Sequence, residues 1–445
     1  MLRNLLHLTW PVLIAQLALM AGSVIDTVMA GRLSAVDLAA VGIGASIYIT
    51  VFVSVMGVLL ALTPTVAHLY GAGKYPDIGE ELRQSAWVCL LLAAIVTLLL
   101  RHPEPFLSLT QLTPEVEIKV RAYLDALSWG VLPALLFRVF YGFSTGIAKP
   151  RPVMVFNLIG VALKVPANLV FMFGYLGMPA LGGPGCAVAT AVLNFFTCIL
   201  AWTWCGGVAE YRRYRIFAQL SWPSVASLVG LLRLGLPIGA TFFVDVTAFT
   251  FMALFIARLG PVVSAAHQIA ANLAALTFML PLALGNAASV LAAQALGAGD
   301  ARRARRAGWT GIAVGVAVGS VISLLLMCTA PAIAGLYSGD VEVRAAASVL
   351  IAYVAAYHFF DALQAVAVNL LRGYKKSAVP MVVYAVALWG VGLGGGYSLA
   401  LTDWIVAPMG ARGFWLAAVV SLALAGSSMT AYFLRVARSA TRNPS

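Results

Sequence analysis

Apolar residues run along this chain in blocks of about twenty or more, broken by short stretches rich in Gly, Pro and charge. No Lys, Arg, Asp or Glu lies between Asp37 and Lys74, between Lys164 and Glu210, or between Arg258 and Asp300. Each gap has room for one or two membrane spans, since a helix crossing the hydrocarbon needs about 20 residues. The punctuation divides the chain into twelve segments: Leu6 to Met29, Leu38 to Val66, Gln84 to Leu100, Tyr123 to Ile147, Val153 to Phe173, Gly185 to Trp204, Leu231 to Ile256, Val262 to Leu291, Gly308 to Leu336, Ala346 to Leu370, Val379 to Leu401 and Gly413 to Phe433. None shows the alternation of a barrel strand, and an open strand edge leaves backbone groups unsatisfied in hydrocarbon. All twelve are therefore predicted as helices.

Composition agrees with that pattern. At 62% hydrophobic and 10% charged, with mean hydropathy +0.95, the 445 residues carry more apolar surface than a water-soluble interior hides. The expected fold class is an all-α integral membrane protein. With twelve spans, both termini share a side with the even-numbered connections, and 19 of the 28 Lys and Arg fall there against seven opposite. The positive-inside rule puts both termini in the cytoplasm. The formal charge of +12 then reads as a topology signal and an affinity for anionic membrane lipid, not for nucleic acid. The first segment carries Asp26 and reads as a retained helix, not a cleaved leader. Five scattered cysteines, Cys89, Cys186, Cys198, Cys205 and Cys328, form neither a disulfide framework nor a metal-ligand spacing.

The chain repeats itself. A shift of 226 to 228 residues lays Leu5 to Val12 (LLHLTWPV) on Leu231 to Ile238 (LLRLGLPI), and Gly71 to Gly73 (GAG) on Gly297 to Gly299 (GAG). It also brings Lys149 with Pro152 close to Lys376 with Pro380, and lays Leu181 to Val192 on Met409 to Val420. Six helices per copy is an even number, so the copies cross the membrane in the same sense, related by a pseudo-two-fold axis along its normal. Residues 1–209 are the expected first lobe, 210–228 a polar and basic cytoplasmic linker and 229–445 the second lobe. Pro11 and Pro237 occupy equivalent places and are candidate kinks, because each removes a backbone donor.

Charges left inside spans are the candidate chemistry: Asp26, Asp125, Arg138, Lys164, Asp245 and Asp361. Each costs roughly 2.5 to 3.5 kcal/mol or more at mid-bilayer if unpaired, so each should face a partner or a wet cavity. Asp125 and Arg138 lie toward span ends. Asp245 shares a helical face with Thr241, Phe242, Phe249 and Met252, while Tyr357 and Asp361 are four apart with Gln364 one turn on. The alternative for any one of these acids alone is a buried residue held by hydrogen bonds to neighbouring helices. Two acids and a phenol hydroxyl in one half make a candidate site for sodium or a shared proton, whose titrations are coupled if the acids are close.

In order and spacing, IDTVMAG (Ile25 to Gly31), SAVDLAAV (Ser34 to Val41), ALTPTVAHLYGAG (Ala61 to Gly73), LGGPGCAVATA (Leu181 to Ala191), FFVDVT (Phe242 to Thr247), SAAHQIAANL (Ser264 to Leu273) and FDALQAVAVNLLRGYKK (Phe360 to Lys376) carry a resemblance. Over essentially its whole length the chain resembles the NorM-like branch of the multidrug and toxic compound extrusion (MATE) transporters. The resemblance implies a V-shaped pair of six-helix lobes in the bacterial inner membrane, working as a monomer. It implies export of small amphipathic organic cations in exchange for sodium or protons, with no other cofactor and no enzymatic activity. Matched position by position, the coupling-cation site falls on Asp245, Asp361 and Tyr357, the two acids being the sodium ligands if sodium couples. The acid of the first lobe falls on Asp26, and Ser46, Cys186, Gln268 and Asn272 match cavity-lining positions. Phe242 and Phe249 offer aromatic surface beside them.

Two positions depart from the family. Asp245 stands where the family usually has Glu, one methylene longer. Lys164 stands where the family has Asn, followed here by Pro166 and Asn168. Lys164 either snorkels toward the interface or pairs with Asp26, giving that lobe an internal counter-charge. The alternatives are a lipid-linked precursor flippase of the same superfamily, which should line its cleft with several cations, a membrane-embedded enzyme, for which no motif appears, and a scaffold or receptor, which needs no acids buried in both copies.

Overall fold

The structure is a computed structural model that describes residues 1–108, 112–218, 221–404 and 406–442. Residues 219 and 220 of the expected linker lie outside the described residues. Every regular element among the described residues is helical, and eleven helices are long and apolar enough to cross a membrane, with a bent pair as a twelfth. We number these spans α1 (Leu2–Leu33), α2 (Ala35–Gly71), α3 (Tyr75–Arg101), α4 (Pro114–Trp129 with Val131–Gly146), α5 (Arg151–Phe173), α6 (Gly185–Gly207), α7 (Val225–Ala257), α8 (Pro261–Gly297), α9 (Ala301–Tyr337), α10 (Val341–Gly373), α11 (Ala378–Leu401) and α12 (Ala411–Arg442).

Several helices overrun the apolar runs into charged residues, because charge does not end a helix. α9 starts at Ala301 and not at Gly308, capped by the Asp300 carboxylate, which accepts from the Arg303 N–H at 2.8 Å. Its arginines form helix as readily as leucine does. Proline and glycine break two spans. α2 is interrupted at Leu60 and Ala61, where Pro64 has no N–H to give the Leu60 carbonyl. α4 bends by 48° at Gly130, three residues before Pro133. α1 and α7 run on through Pro11 and Pro237 as helices.

The chain packs into two compact units, one of Trp10–Gly239 and one of Ala240–Ser445 with Met1–Thr9. α1 therefore passes from one unit to the other between Thr9 and Trp10, and α7 between Gly239 and Ala240. Both crossings lie beside the equivalent prolines. In the second unit α9 packs through a glycine stripe: a Cβ on Gly311 would sit 2.7 Å from Ala288 of α8, and one on Gly315 2.9 Å from Val366 of α10. Without a hydrophobic force between helices in lipid, such close backbone approach supplies much of the packing.

The linker is docked on the first unit. Arg83 of α3 donates to the Arg215 carbonyl at 2.7 Å and to Ser221 Oγ at 2.8 Å, Gln84 donates to the Trp222 carbonyl at 2.9 Å, and Lys149 pairs with Glu210. Tyr211 and Tyr214 are buried, and burial pushes the Tyr214 phenol up to about 12. The Lys149 ammonium donates to Glu210 and holds its carboxyl below the usual range, so this exposed tie persists at neutral pH and loosens as pH falls through the lowered value. Gly79 is the close point, since a Cβ there would collide with the Tyr214 carbonyl. Gly79→Ala is expected to cost about 1 to 3 kcal/mol of local docking. Limited trypsin digestion checks it: cleavage after Arg212, Arg213 and Arg215 should speed up, and wild-type digestion rates would rule the docking role out.

Candidate functional site

Three helices of the second unit converge on one polar cluster. Asp245 sits midway along α7, Tyr357 and Asp361 one helical turn apart on α10, and Tyr384 in the first turns of α11. The i, i+4 spacing puts the two α10 groups on one face. Tyr384 Oη–H donates to Asp245 Oδ1 at 2.6 Å, and the four side chains are close enough to interact electrostatically. Tyr357 is 6% exposed, Asp361 3% and Tyr384 5%. Among the described residues Asp245 and Asp361 form no salt bridge, and no hydrogen-bond donor reaches Asp361. A nearly buried carboxylate without a donor is costly unless a proton or cation neutralises it.

Aromatic packing holds the cluster in shape. The Phe249 ring meets Tyr357 edge-on at 6.2 Å, and Trp415 of α12 packs against Tyr357 at 5.7 Å. A cavity opens beside them, lined by Ala248, Phe249 and Met252 of α7, Tyr357, Leu388 and Gly392 of α11, and Ser421 of α12. It lies against a π-helical stretch of α11, Val386–Gly394, whose wider turns leave the helix loosely wound there. Within that stretch Trp389 Nε1–H donates to the Val244 carbonyl at 3.2 Å. α11 thus grips α7 at two successive residues, Val244 and Asp245.

In the first unit the other deep acid is already neutralised. Lys164 Nζ lies 3.0 Å from Asp26 Oδ2, and Asn168 Nδ2 donates to Asp26 Oδ1 at 2.7 Å. Lys164 also donates to the Cys186 carbonyl at 3.3 Å and to Thr190 Oγ1. Lys164 and Asn168 are one turn apart on α5, so both point at α1. The lysine is 5% exposed and does not snorkel.

The remaining sequence candidates are spread more widely. Cys186 is fully buried, and its carbonyl, not its thiol, meets Lys164. Ser46 is exposed on α2 and donates back to the Gly42 carbonyl at 2.9 Å. Gln268 and Asn272 are exposed on α8, where Tyr337 donates to Asn272 Oδ1 at 3.2 Å. Phe242 lies under the Arg372 guanidinium at 5.5 Å. Of the charges placed toward span ends, Asp125 pairs with Arg101 at 3.4 Å at the surface, and Arg138 stands 5.6 Å from the Tyr141 ring.

Tyr384 and Arg372 escaped sequence reasoning. A tyrosine in an apolar run looks like an interfacial anchor, and an arginine at a helix C-terminus looks like a cap. Arg372 is 7% exposed and donates to Asn369 Oδ1 at 3.2 Å. The predicted span Val379 to Leu401 contains Tyr384, but nothing in the sequence pointed its hydroxyl at α7.

The MatE family model matches residues 11–170 and 237–398. The chain is 39% identical over 438 residues to the "Probable multidrug resistance protein NorM" of Chromobacterium violaceum, covering 98% of this chain and 94% of that one. It is 40% identical over 442 residues to the "Multidrug resistance protein PmpM" of Pseudomonas aeruginosa, covering 99% and 92%. In structure it matches the eukaryotic MATE transporter AtDTX14 with a TM-score of 0.87 at 18% identity, over 99% of this chain and 98% of that one, a likeness of fold.

Proposed function

Because the chain belongs to the MATE family of multi-pass membrane transporters, we propose that it is a multidrug efflux antiporter, exporting small amphipathic organic cations in exchange for sodium or protons. The observation that carries this reading is the contrast between the two units. Asp26 has a lysine 3.0 Å away, whereas among the described residues a half-buried Asp245 and a buried Asp361 stand beside two phenol hydroxyls with no salt bridge. A site built from carboxylates and hydroxyls suits a hard cation or a proton, which is the chemistry a coupling ion needs.

The cycle has two reciprocal loadings. In the outward-facing state a sodium ion or proton binds Asp245 and Asp361, disfavours the cationic drug and leads to its release. Facing inward, the ion leaves and drug loads again. By linkage, the ion expels drug only as far as the two binding events disfavour each other. Drug recognition is loose, supported by Phe249 and Met252 beside the acids and by the exposed side chains of Gln268 and Asn272 in the same unit. The protein acts as a monomer in a bacterial inner membrane with both termini in the cytoplasm, where its excess Lys and Arg meet anionic lipid.

Dye efflux from proteoliposomes tests this, first under a sodium gradient alone and then under a proton gradient alone. Efflux driven by at least one gradient is expected. Absence of efflux under both ends the antiporter reading.

A further inference from the structure

The geometry points to Tyr384 as the residue that sets whether Asp245 prefers a proton or sodium. The inference rests on the reading above that Asp245 holds the coupling ion. Its hydroxyl is the only hydrogen-bond donor to Asp245 among the described residues, at 2.6 Å, and it is 5% exposed.

A donor bonded to an ionised carboxylate stabilises the charged form, because the protonated acid accepts the same bond less strongly. Protons and sodium ask opposite things of that carboxylate. A proton must neutralise it, and so competes against the Tyr384 bond. Sodium needs it ionised, and can also use the lone pairs that Tyr384 keeps on its oxygen while donating. One hydroxyl therefore weakens proton binding and strengthens sodium binding at the same atom.

The other groups facing Asp245 leave this role open. α10 contributes Tyr357 and Asp361, which interact with it electrostatically, and Arg372, which stacks over Phe242 and lies within electrostatic reach of Tyr384. α11 contributes Trp389, whose indole N–H goes to the Val244 carbonyl and not to the acid. α12 contributes Ser421, which lines the neighbouring cavity and donates to its own Ala418 carbonyl at 2.8 Å. Two separate bonds from α11 thus reach α7, and only that of Tyr384 touches the carboxylate.

The test is displacement of a bound cationic dye from the purified full-length protein by lowering pH, and separately by adding sodium at fixed alkaline pH. It reads binding without requiring turnover. With Tyr384→Phe, the midpoint pH of displacement should rise by about one to two units, and any sodium concentration giving half-displacement should rise about tenfold. Trp389→Phe removes the other α11 bond and should move neither. Replacing Tyr384 by 3-fluorotyrosine keeps the ring and strengthens the donor, so it should lower the midpoint pH, and it stands if Tyr384→Phe fails to fold.

An unmoved or lowered midpoint in folded Tyr384→Phe overturns the inference, as does an equal shift in Trp389→Phe, which would mark a general loosening of α11. Where sodium displaces no dye from the wild type, the proton arm decides alone. Asp245→Asn serves as the control: if it keeps the full pH response, the assignment of the ion to Asp245 is what failed, and if it loses the response while Tyr384→Phe behaves as wild type, only the role of Tyr384 is lost.

Discussion

Asp245→Asn should abolish ion-driven efflux, by about 100-fold or more, while leaving the protein folded and inserted. The amide keeps the size of the carboxylate and still offers an oxygen to the Tyr384 hydroxyl, so the α7 to α11 contact survives. What disappears is the charge. An amide neither binds a proton at accessible pH nor neutralises sodium, and losing a charge-assisted partner of roughly 3 kcal/mol is two decades in affinity. Stability should change little or even improve, because a half-buried carboxylate with no counter-charge is replaced by a neutral group. The measurement is efflux in proteoliposomes beside a thermal unfolding curve in detergent. Residual efflux above about a tenth of wild type, with normal folding, would move the coupling ion elsewhere.

Lys164 should show the opposite pattern, a large effect on stability. Removing it as Lys164→Met leaves Asp26 buried with, among the described residues, only the Asn168 amide donating to it, and breaking a buried pair from one side typically costs about 3 to 5 kcal/mol. Replacing both partners, Asp26→Asn with Lys164→Met, should restore most of that loss. The coupling energy of the cycle is then several kcal/mol, far outside the roughly 0.5 kcal/mol of independent sites. A denaturant series on the four proteins measures it. Additive single effects would mean that the pair is a coincidence of packing. The double variant should also retain ion-driven efflux, since the ion is assigned to the other unit.

Local physics made the helices legible in the sequence. Runs of twenty apolar residues become helices in lipid whatever their neighbours, and the helices found match the twelve segments apart from overruns at their ends, charged as at Ala301 to Arg306 or uncharged as at Val225 to Gly230. The breaks in α2 and α4 follow from Pro64 and Pro133, each of which withholds one backbone donor. Asp245, Tyr357 and Asp361 stood out for the same reason, since a charge or hydroxyl in hydrocarbon is conspicuous by its cost. The linker was legible as polar and basic but not as docked, because its partners Arg83 and Gln84 lie well over a hundred residues away.

By itself, then, the sequence determined the helical membrane fold, the doubled organisation and the acids that need a neutralising partner, because solvent and chain periodicity alone dictate these. The tertiary structure alone decided which groups meet. It made Lys164 a counter-charge and not a snorkelling side chain, turned the Cys186 carbonyl and not its thiol to that lysine, and brought Tyr384 to Asp245 across 139 positions of chain. The reason is geometric: a hydrogen bond of 2.6 Å depends on the rotation and depth of two separate helices. Those are set by packing, which no single helix encodes.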